Sequence, residues 1–231
     1  MAIAQASPHG SQRAGAERAA AARRIGRSAQ LDAAAKRLLD VVGAAVLLVV
    51  LAPLMGLIAL LVRLDSPGPV LFRQERIGQG GRPFTVLKFR SMYVDADPHV
   101  HARYVVERIR AGQPLLKLQR DPRITRIGRF LRATSLDELP QLWNVLRGEM
   151  SLVGPRPALA YEVALYSEAQ RERLRVKPGI TGLAQLHSRG RGTLAEYIQH
   201  DLDYVARRSI WLDLSILVRT VPAVLRGRGA A

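Results

Sequence analysis

Residues 41–62 form an apolar run without a charge, bounded by Asp40 on one side and Arg63 on the other. As a helix the run is roughly 33 Å long at about 1.5 Å per residue, enough to cross the hydrocarbon of a bilayer. Pro53 lies inside it, without an amide hydrogen and with its ring set against the carbonyl of Val49. The two arms, 41–52 and 54–62, are each too short to cross alone. Both flanks are basic: Arg23, Arg24, Arg27, Lys36 and Arg37 precede the run, and Arg63, Arg73, Arg76 and Arg82 follow it. Because positive flanks stay on the cytoplasmic side, the expectation is a re-entrant hairpin. A Pro-kinked spanning helix is the alternative.

The rest of the 231 residues has room for about one domain. Residues 1–30 are rich in Ala, Gly, Ser and Arg and poor in large apolar side chains. They cannot bury enough surface to offset their ordering entropy, so a disordered basic tail is expected there, with the domain at 31–231. It is no signal peptide, since the apolar run starts late and no cleavage pattern ends it. A formal net charge of +16 points to a polyanionic partner: nucleic acid, a phosphorylated substrate or anionic membrane lipid. Aromatics are only 5% of the chain, which is poor for base stacking. With no cysteine, a disulfide framework and a thiolate zinc site are both excluded.

Turn residues at 66–69 precede two apolar stretches, 70–72 and 84–89, which read as strands about Gly78-Gln79-Gly80-Gly81. The glycines suit a hairpin better than a phosphate cradle, because no lysine-serine pair and no helix follow them. Lys88 and Arg90 are expected to leave the second strand on one face, two residues apart. Residues 93–118 read as a polar helix and loop; His99 and His101 lack a third ligand in view, so no metal is placed there. An amphipathic helix is expected after Pro157, ending at Lys177-Pro178-Gly179, followed by a turn and short strand at 180–185 and a basic loop at 188–192. Thr193-x-x-Glu196 is a capping box for another helix. The apolar stretch 210–225, with Trp211, reads as core or as an interfacial helix at headgroup level, the interface being favoured.

The densest chemistry lies at 120–157, RDPRITRIGRFLRATSLDELPQLWNVLRGEMSLVGPRP. Arg120, Arg123, Arg126, Arg129 and Arg132 recur at every third position ahead of the adjacent carboxylates Asp137 and Glu138, and Arg156 closes the segment. Guanidiniums beside carboxylates suit a phosphorylated substrate and a divalent metal, since Arg binds phosphate bidentately and carboxylates hold Mg²⁺ or attack phosphorus. Ser135-x-x-Glu138 also reads as a capping box. Pro140 sits badly in a helix begun at Ser135 and well in one begun near Leu139. Cap and catalytic pair both stand at this point, and a stripe facing lipid headgroups stands beside phosphate binding for the arginines.

TSLDELPQLWNVLRGEMSLVGPRP resembles the signature of the bacterial sugar transferases, the monotopic polyprenyl-phosphate phosphoglycosyl transferases. KRLLD at 36–40, LFRQERIG at 71–78, LKFRSM at 87–92 and KPGITGLAQ at 177–185 follow the same family in order. The resemblance is to the short form, without preceding spanning helices. It implies a mostly helical α+β fold, with the re-entrant hairpin and amphipathic interfacial helices around a small strand element, on the cytoplasmic face of the inner membrane. It implies transfer of a phospho-sugar from a nucleotide diphosphate sugar, usually a UDP-sugar, to polyprenyl phosphate, with release of UMP. In that reading Asp137 is the nucleophile, Glu138 holds Mg²⁺, and Lys88, Arg90, Arg129, Arg132 and Arg156 bind substrate phosphates. The loop at 188–192 would close over the donor, although its SRGRG differs from the asparagine-containing form of the family. No nucleic acid is expected as partner, and a homodimer is left open. A membrane-tethered nucleic-acid-binding protein and a non-catalytic scaffold remain the alternatives.

Overall fold

A computed structural model describes residues 8–94, 98–114, 121–188 and 192–225, with side chains from Asp32 onward except at 98–102. Two compact units are present, Met1–Leu39 and Asp40–Ala231. The second holds the strands and every helix after the first. The architecture is mostly helical α+β, as expected. The helices are α1 (Pro8–Asp65), α2 (Pro98–Arg110), α3 (Arg126–Thr134), α4 (Gln141–Arg147), α5 (Ala160–Val163), α6 (Glu168–Arg171), α7 (Leu183–Ser188), α8 (Leu194–Arg207) and α9 (Ile210–Leu225). The strands are β1 (Leu71–Ile77), β2 (Pro83–Phe89), β3 (Ser151–Val153) and β4 (Gly179–Thr181).

The stretch Asp32–Asp65 of α1 is long and apolar enough to cross a membrane by length and composition. The helix runs through Pro53 without interruption. Ile58 and Val62 are buried, whereas Val49, Val50, Leu57, Leu60 and Leu64 lie exposed. The assignment of α1 from Pro8 includes most of the stretch read as a tail, whose side chains are outside the described residues. Asp40 anchors α1 at the start of the second unit: its Oδ1 accepts from Ser151 Oγ and from the Leu152 amide, both at 2.9 Å.

The expected hairpin forms. β1 and β2 pair antiparallel from Leu71↔Phe89 to Ile77↔Pro83, joined by a 3-10 turn at Gln79–Gly81. Beyond it, Thr125 N donates to Ser91 O and Tyr93 N donates to Arg123 O, which brings α3 against the end of β2. One core cluster joins Val86 of β2, Val145 of α4, Leu152 and Val153 of β3, Tyr204 of α8 and Ile216 of α9. A second joins Ile58 and Val62 of α1 to Phe89 and Leu131.

The single helix expected after Pro157 is instead three short pieces, α5, α6 and a 3-10 turn at Glu172–Arg175. Ser167 explains the break: its Oγ accepts from Gln170 N and its amide donates to Gln170 Oε1, so a new helix starts there. These pieces form the crossover between β3 and β4, which pair in parallel through Ser151↔Gly179 and Val153↔Thr181. The seam is bare backbone. A Cβ on Gly179 would stand 2.1 Å from Gly154 N, and one on Gly182 would stand 2.2 Å from Gly154 O.

Thr193 and Glu196 form the capping box read from the sequence. Helix α9 has one face in the core and one apolar face exposed. Ile216 and Asp213 face inward, fully buried, while Trp211, Leu214, Val218 and Val221 lie exposed on the other side.

Candidate active site

Asp137 and Glu138 occupy one 3-10 turn, Leu136–Glu138, between α3 and α4. The chain enters it through Ser135 at φ 58°, the single non-glycine residue with positive φ among those described. That left-handed geometry closes α3: the Ser135 amide donates to Leu131 O, and its side chain makes no cap bond. The Ser-x-x-Glu capping box therefore does not form, and α4 begins at Gln141 behind Pro140. Leu136 and Leu139, on either side of the carboxylates, pack against Ile58, Val62, Phe89 and Leu131. The leucines hold the turn while Asp137 and Glu138 remain partly exposed.

Lys88 Nζ lies 2.8 Å from Glu138 Oε1. The two side chains are 25% and 32% exposed, so the pair is solvent-screened and holds by no more than about 1 kcal/mol. A stronger ligand for Glu138 can displace it. Asn144 of α4, fully buried, sets the spacing: its Oδ1 accepts from Leu87 N at 3.1 Å, and its Nδ2 donates to Thr85 O at 2.7 Å. This amide occupies the free edge of β2 beside Lys88 and fixes it against the helix that follows the carboxylates.

Arg90 goes elsewhere. Strand pairing ends at Leu71↔Phe89, and the buried Arg90 guanidinium donates to the carbonyls of Val62, Ser66 and Pro67 at 3.2, 2.6 and 2.6 Å. It closes the C-terminal end of α1, where a cation suits the helix dipole, and does not share the surroundings of Lys88. Of the period-three arginines, Arg120 lies outside the described residues. Arg123 is bound to Asp121 through Nε and Nη2 at 2.9 and 2.7 Å. That hydrogen bond leads in holding the Asp121 carboxyl below its ordinary range, and Arg132 is near enough to assist. Arg129 is exposed on α3, one turn from Arg132.

Gly154-Pro155-Arg156-Pro157 is tied to β1 through Arg76 Nη1, which donates to Pro157 O. The carbonyls of Pro155, Arg156, Pro157 and Ala158 are each bonded in succession, by Gly179 N at 2.8 Å, Arg173 Nη2 at 3.0 Å, Arg76 Nη1 at 3.1 Å and Ile77 N at 2.9 Å. Arg156 is half-exposed and its Nη2 donates to Glu162 Oε1 at 2.6 Å. Glu162 is buried, and its other oxygen accepts from Leu159 N at 2.9 Å. Burial pushes its carboxyl up, but the charge of Arg156, the Leu159 amide, Arg76 and Arg173 together bring it below the ordinary range. Glu162 in turn lifts Arg156 above its usual value against burial. Behind them Arg173 pairs with the buried Asp201 and donates to Tyr166.

The two halves meet at Arg76, close enough to both Glu138 and Arg156 to feel their charges. Sequence reasoning counted Arg76 only as a flanking charge. The strand period held the signal, since Arg76 lies on the same ribbon face as Lys88 through the pairs Phe72↔Lys88, Gln74↔Val86 and Arg76↔Phe84. No cluster of three His, Cys, Asp or Glu side chains able to hold a metal occurs among the described residues. The hard oxygen donors of Asp137 and Glu138 instead fit a Mg²⁺ ion that completes its shell with substrate phosphates and water.

Residues 31–227 match the bacterial sugar transferase family. The chain belongs to that family. This sugar transferase is 47% identical over 199 residues to the UDP-glucose:undecaprenyl-phosphate glucose-1-phosphate transferase of Caulobacter vibrioides, covering 82% of this chain and 69% of the relative. It is 42% identical over 198 residues to the exopolysaccharide production protein ExoY of Rhizobium meliloti, covering 85% and 88%. It is 44% identical over 197 residues to the galactosyl transferase CpsE of Streptococcus agalactiae, covering 85% of this chain and less than half, 43%, of that longer relative.

Proposed function

We propose that this sugar transferase moves a phospho-sugar from a nucleotide diphosphate sugar to polyprenyl phosphate in exopolysaccharide or a related glycan assembly. The observation that carries the reading is the pairing of Lys88 with Glu138 in the Asp137–Glu138 turn, with Arg76 near enough to feel that carboxylate, in a chain whose relatives are named for sugar-phosphate transfer to undecaprenyl phosphate. The relatives' names differ in the sugar, glucose in one and galactose in another, so the reaction class carries over and the sugar does not.

Asp137 attacks the sugar-proximal phosphorus. A new P–O bond forms to its carboxylate, the bridging P–O bond breaks, and its electron pair leaves with the nucleoside monophosphate. A phosphate oxygen of the polyprenyl phosphate then attacks the aspartyl phospho-sugar and releases Asp137 as carboxylate, with polyprenyl-diphosphate-sugar as product. Lys88 neutralises charge that develops on the phosphate oxygens, and Arg156 holds the phosphate in ground state and transition state alike. Glu138 would hold Mg²⁺, which when bound supplies further charge neutralisation on the diphosphate. Arg129 and Arg132 are the outer cations by which α3 draws phosphates toward the turn.

The first half-reaction needs no acceptor. The purified enzyme is therefore expected to exchange labelled UMP into its UDP-sugar when polyprenyl phosphate is absent, the mark of a ping-pong mechanism. Transfer without any such exchange would replace the covalent step by direct displacement.

The membrane reading is monotopic, on the cytoplasmic face of the inner membrane. Support comes from the basic flanks of α1, its exposed apolar side chains, and the exposed Trp211, Leu214, Val218 and Val221 of α9. Residues engineered on both sides of 41–62 should then be labelled from one side of the membrane only, and Pro53→Leu should move one flank outside. Opposite labelling in the unmodified chain would make α1 a spanning helix.

A further inference from the structure

Arg76 is a partly buried cation without a counter-ion among the described residues. Its Nε and Nη2 both donate to Gln74 Oε1, at 3.0 and 2.7 Å, and its Nη1 donates to Pro157 O at 3.1 Å. Both partners are neutral. One N–H on each terminal nitrogen stays without a partner among the described residues, and none of those residues places a carboxylate within ion-pair distance. A guanidinium carries five donors in a fixed fork, and proteins seldom leave its charge uncompensated where water is partly excluded.

Its charged neighbour on the loop makes matters worse. Burial first, and then the positive charge of Arg156, push Arg76 down to about 10, against the weaker pull of Glu162, Tyr161 and Glu138. Arg76 stays protonated at neutral pH, with a second guanidinium near enough to repel it. A purely structural role does not account for this. Ile77 N already ties β1 to Ala158 O at 2.9 Å, one residue along from the Arg76–Pro157 bond, so the tether is duplicated. Nor does Gln74 serve stability best. A glutamate of the same size there would satisfy the guanidinium in both hydrogen bonding and charge. The amide orients the fork and leaves the charge available.

We propose that Arg76 is a phosphate-binding residue of this site, paired with Arg156 as a two-guanidinium clamp, and that Gln74 is the positioning residue that orients it. The inference rests on the reading of Asp137–Glu138 as the centre of phospho-sugar transfer. It adds the subsite in which a phosphate ester is gripped. Planar forks on two sides of one phosphate give bidentate, geometrically selective contacts that a lysine cannot reproduce. The ester is supplied either by the donor diphosphate or by the lipid phosphate.

The test uses the full chain in detergent, as wild type, Gln74→Glu and Arg76→Lys. Equilibrium binding is measured with UDP and, separately, with undecaprenyl phosphate in micelles, beside the thermal midpoint of each protein. Gln74→Glu supplies the missing carboxylate at nearly constant volume, so it should leave the midpoint unchanged or raise it. One of the two affinities should nevertheless fall by about ten-fold or more, as the cost of neutralising a charged phosphate contact. Arg76→Lys should lower the same affinity. Loss of UDP binding places the donor in the clamp; loss of lipid binding alone places the acceptor there. Unchanged affinity for both ligands in Gln74→Glu overturns the proposal, whatever Arg76→Lys does. Wild type that binds UDP but transfers no phospho-sugar from any UDP-sugar to undecaprenyl phosphate would overturn the transfer reading instead. The dependence of UDP binding on residue 74 would then still support the clamp.

Discussion

The turn at 135–139 and the loop at 154–158 are built on opposite principles. The turn is held by apolar side chains, Leu136 and Leu139, with short backbone bonds from Glu138 N to Ser135 O and from Leu139 N to Leu136 O. Its functional side chains are partly exposed, and Glu138 is tied to Lys88 by a pair that solvent weakens. The loop has four successive carbonyls bonded from three segments, β4, the 3-10 turn at Glu172–Arg175 and β1, and its one functional side chain is paired with a buried carboxylate. The difference fits a division of labour. A group that forms and breaks a covalent bond needs room to approach phosphorus, whereas a group that holds a phosphate works best when it is already in place.

The comparison breaks most sharply at Asp137. Asp137→Asn keeps the shape and removes the anionic oxygen, so both UMP exchange and net transfer should drop by about a thousand-fold or more, with donor binding within about two-fold of wild type. Arg156→Gln should do the reverse. Donor KM should rise by roughly ten- to a hundred-fold with a smaller change in kcat, because a preformed contact to ground state and transition state alike is lost. Steady-state kinetics of the two proteins side by side decides it. If Arg156→Gln lowers kcat alone, the loop takes part in bond-making and the contrast collapses.

The smallest effect is on stability. The Glu162 carboxyl titrates lower in the folded chain than its ordinary 4.5. Its stabilising contribution is therefore complete above that value and is lost as pH falls through the lower folded one. Glu162→Gln should be less stable than wild type near neutral pH, by about 1 kcal/mol, since a charged acceptor is lost but Arg156 is half-exposed and solvent-screened. It should also show a shallower decline of thermal midpoint between about pH 5 and pH 3. Parallel declines in the two proteins would mean that Glu162 does not set the acid limit of the loop.

Much of this was legible in the sequence, and the residues show where legibility ends. The β1–β2 hairpin, the Thr193–Glu196 box and the start of α4 behind Pro140 follow from turn chemistry and local pattern, which act within a few residues. The Ser135 box failed because the same serine was needed in a left-handed conformation to close α3, a demand from the preceding helix. Arg90 looked like a partner of Lys88 because strand alternation was extended one residue past the last pair. Asn144, Glu162 and Arg76 escaped notice for a common reason. Asn144 acquires its role from Thr85 and Leu87, Arg76 from Pro157 and Glu162 from its pair with Arg156, and no helix or strand period marks such meetings.

The glycine seam between β3 and β4 also dictates when the site comes into being. Gly154 can settle only against Gly179 and Gly182, so the loop that carries Arg156 waits for the crossover of α5 and α6 to close. Closing a span of about 26 residues costs roughly 3 kcal/mol of chain entropy before any contact offsets it. During synthesis the carboxylate turn and its leucine anchors emerge from the ribosome well ahead of that closure. A chain halted before Pro178 thus carries the Asp137–Glu138 turn but lacks the seam that seats the Arg156 loop, and it lacks Tyr204 and Ile216 of the core as well. The apolar helix α1, at the other end of the chain, is by then long synthesised.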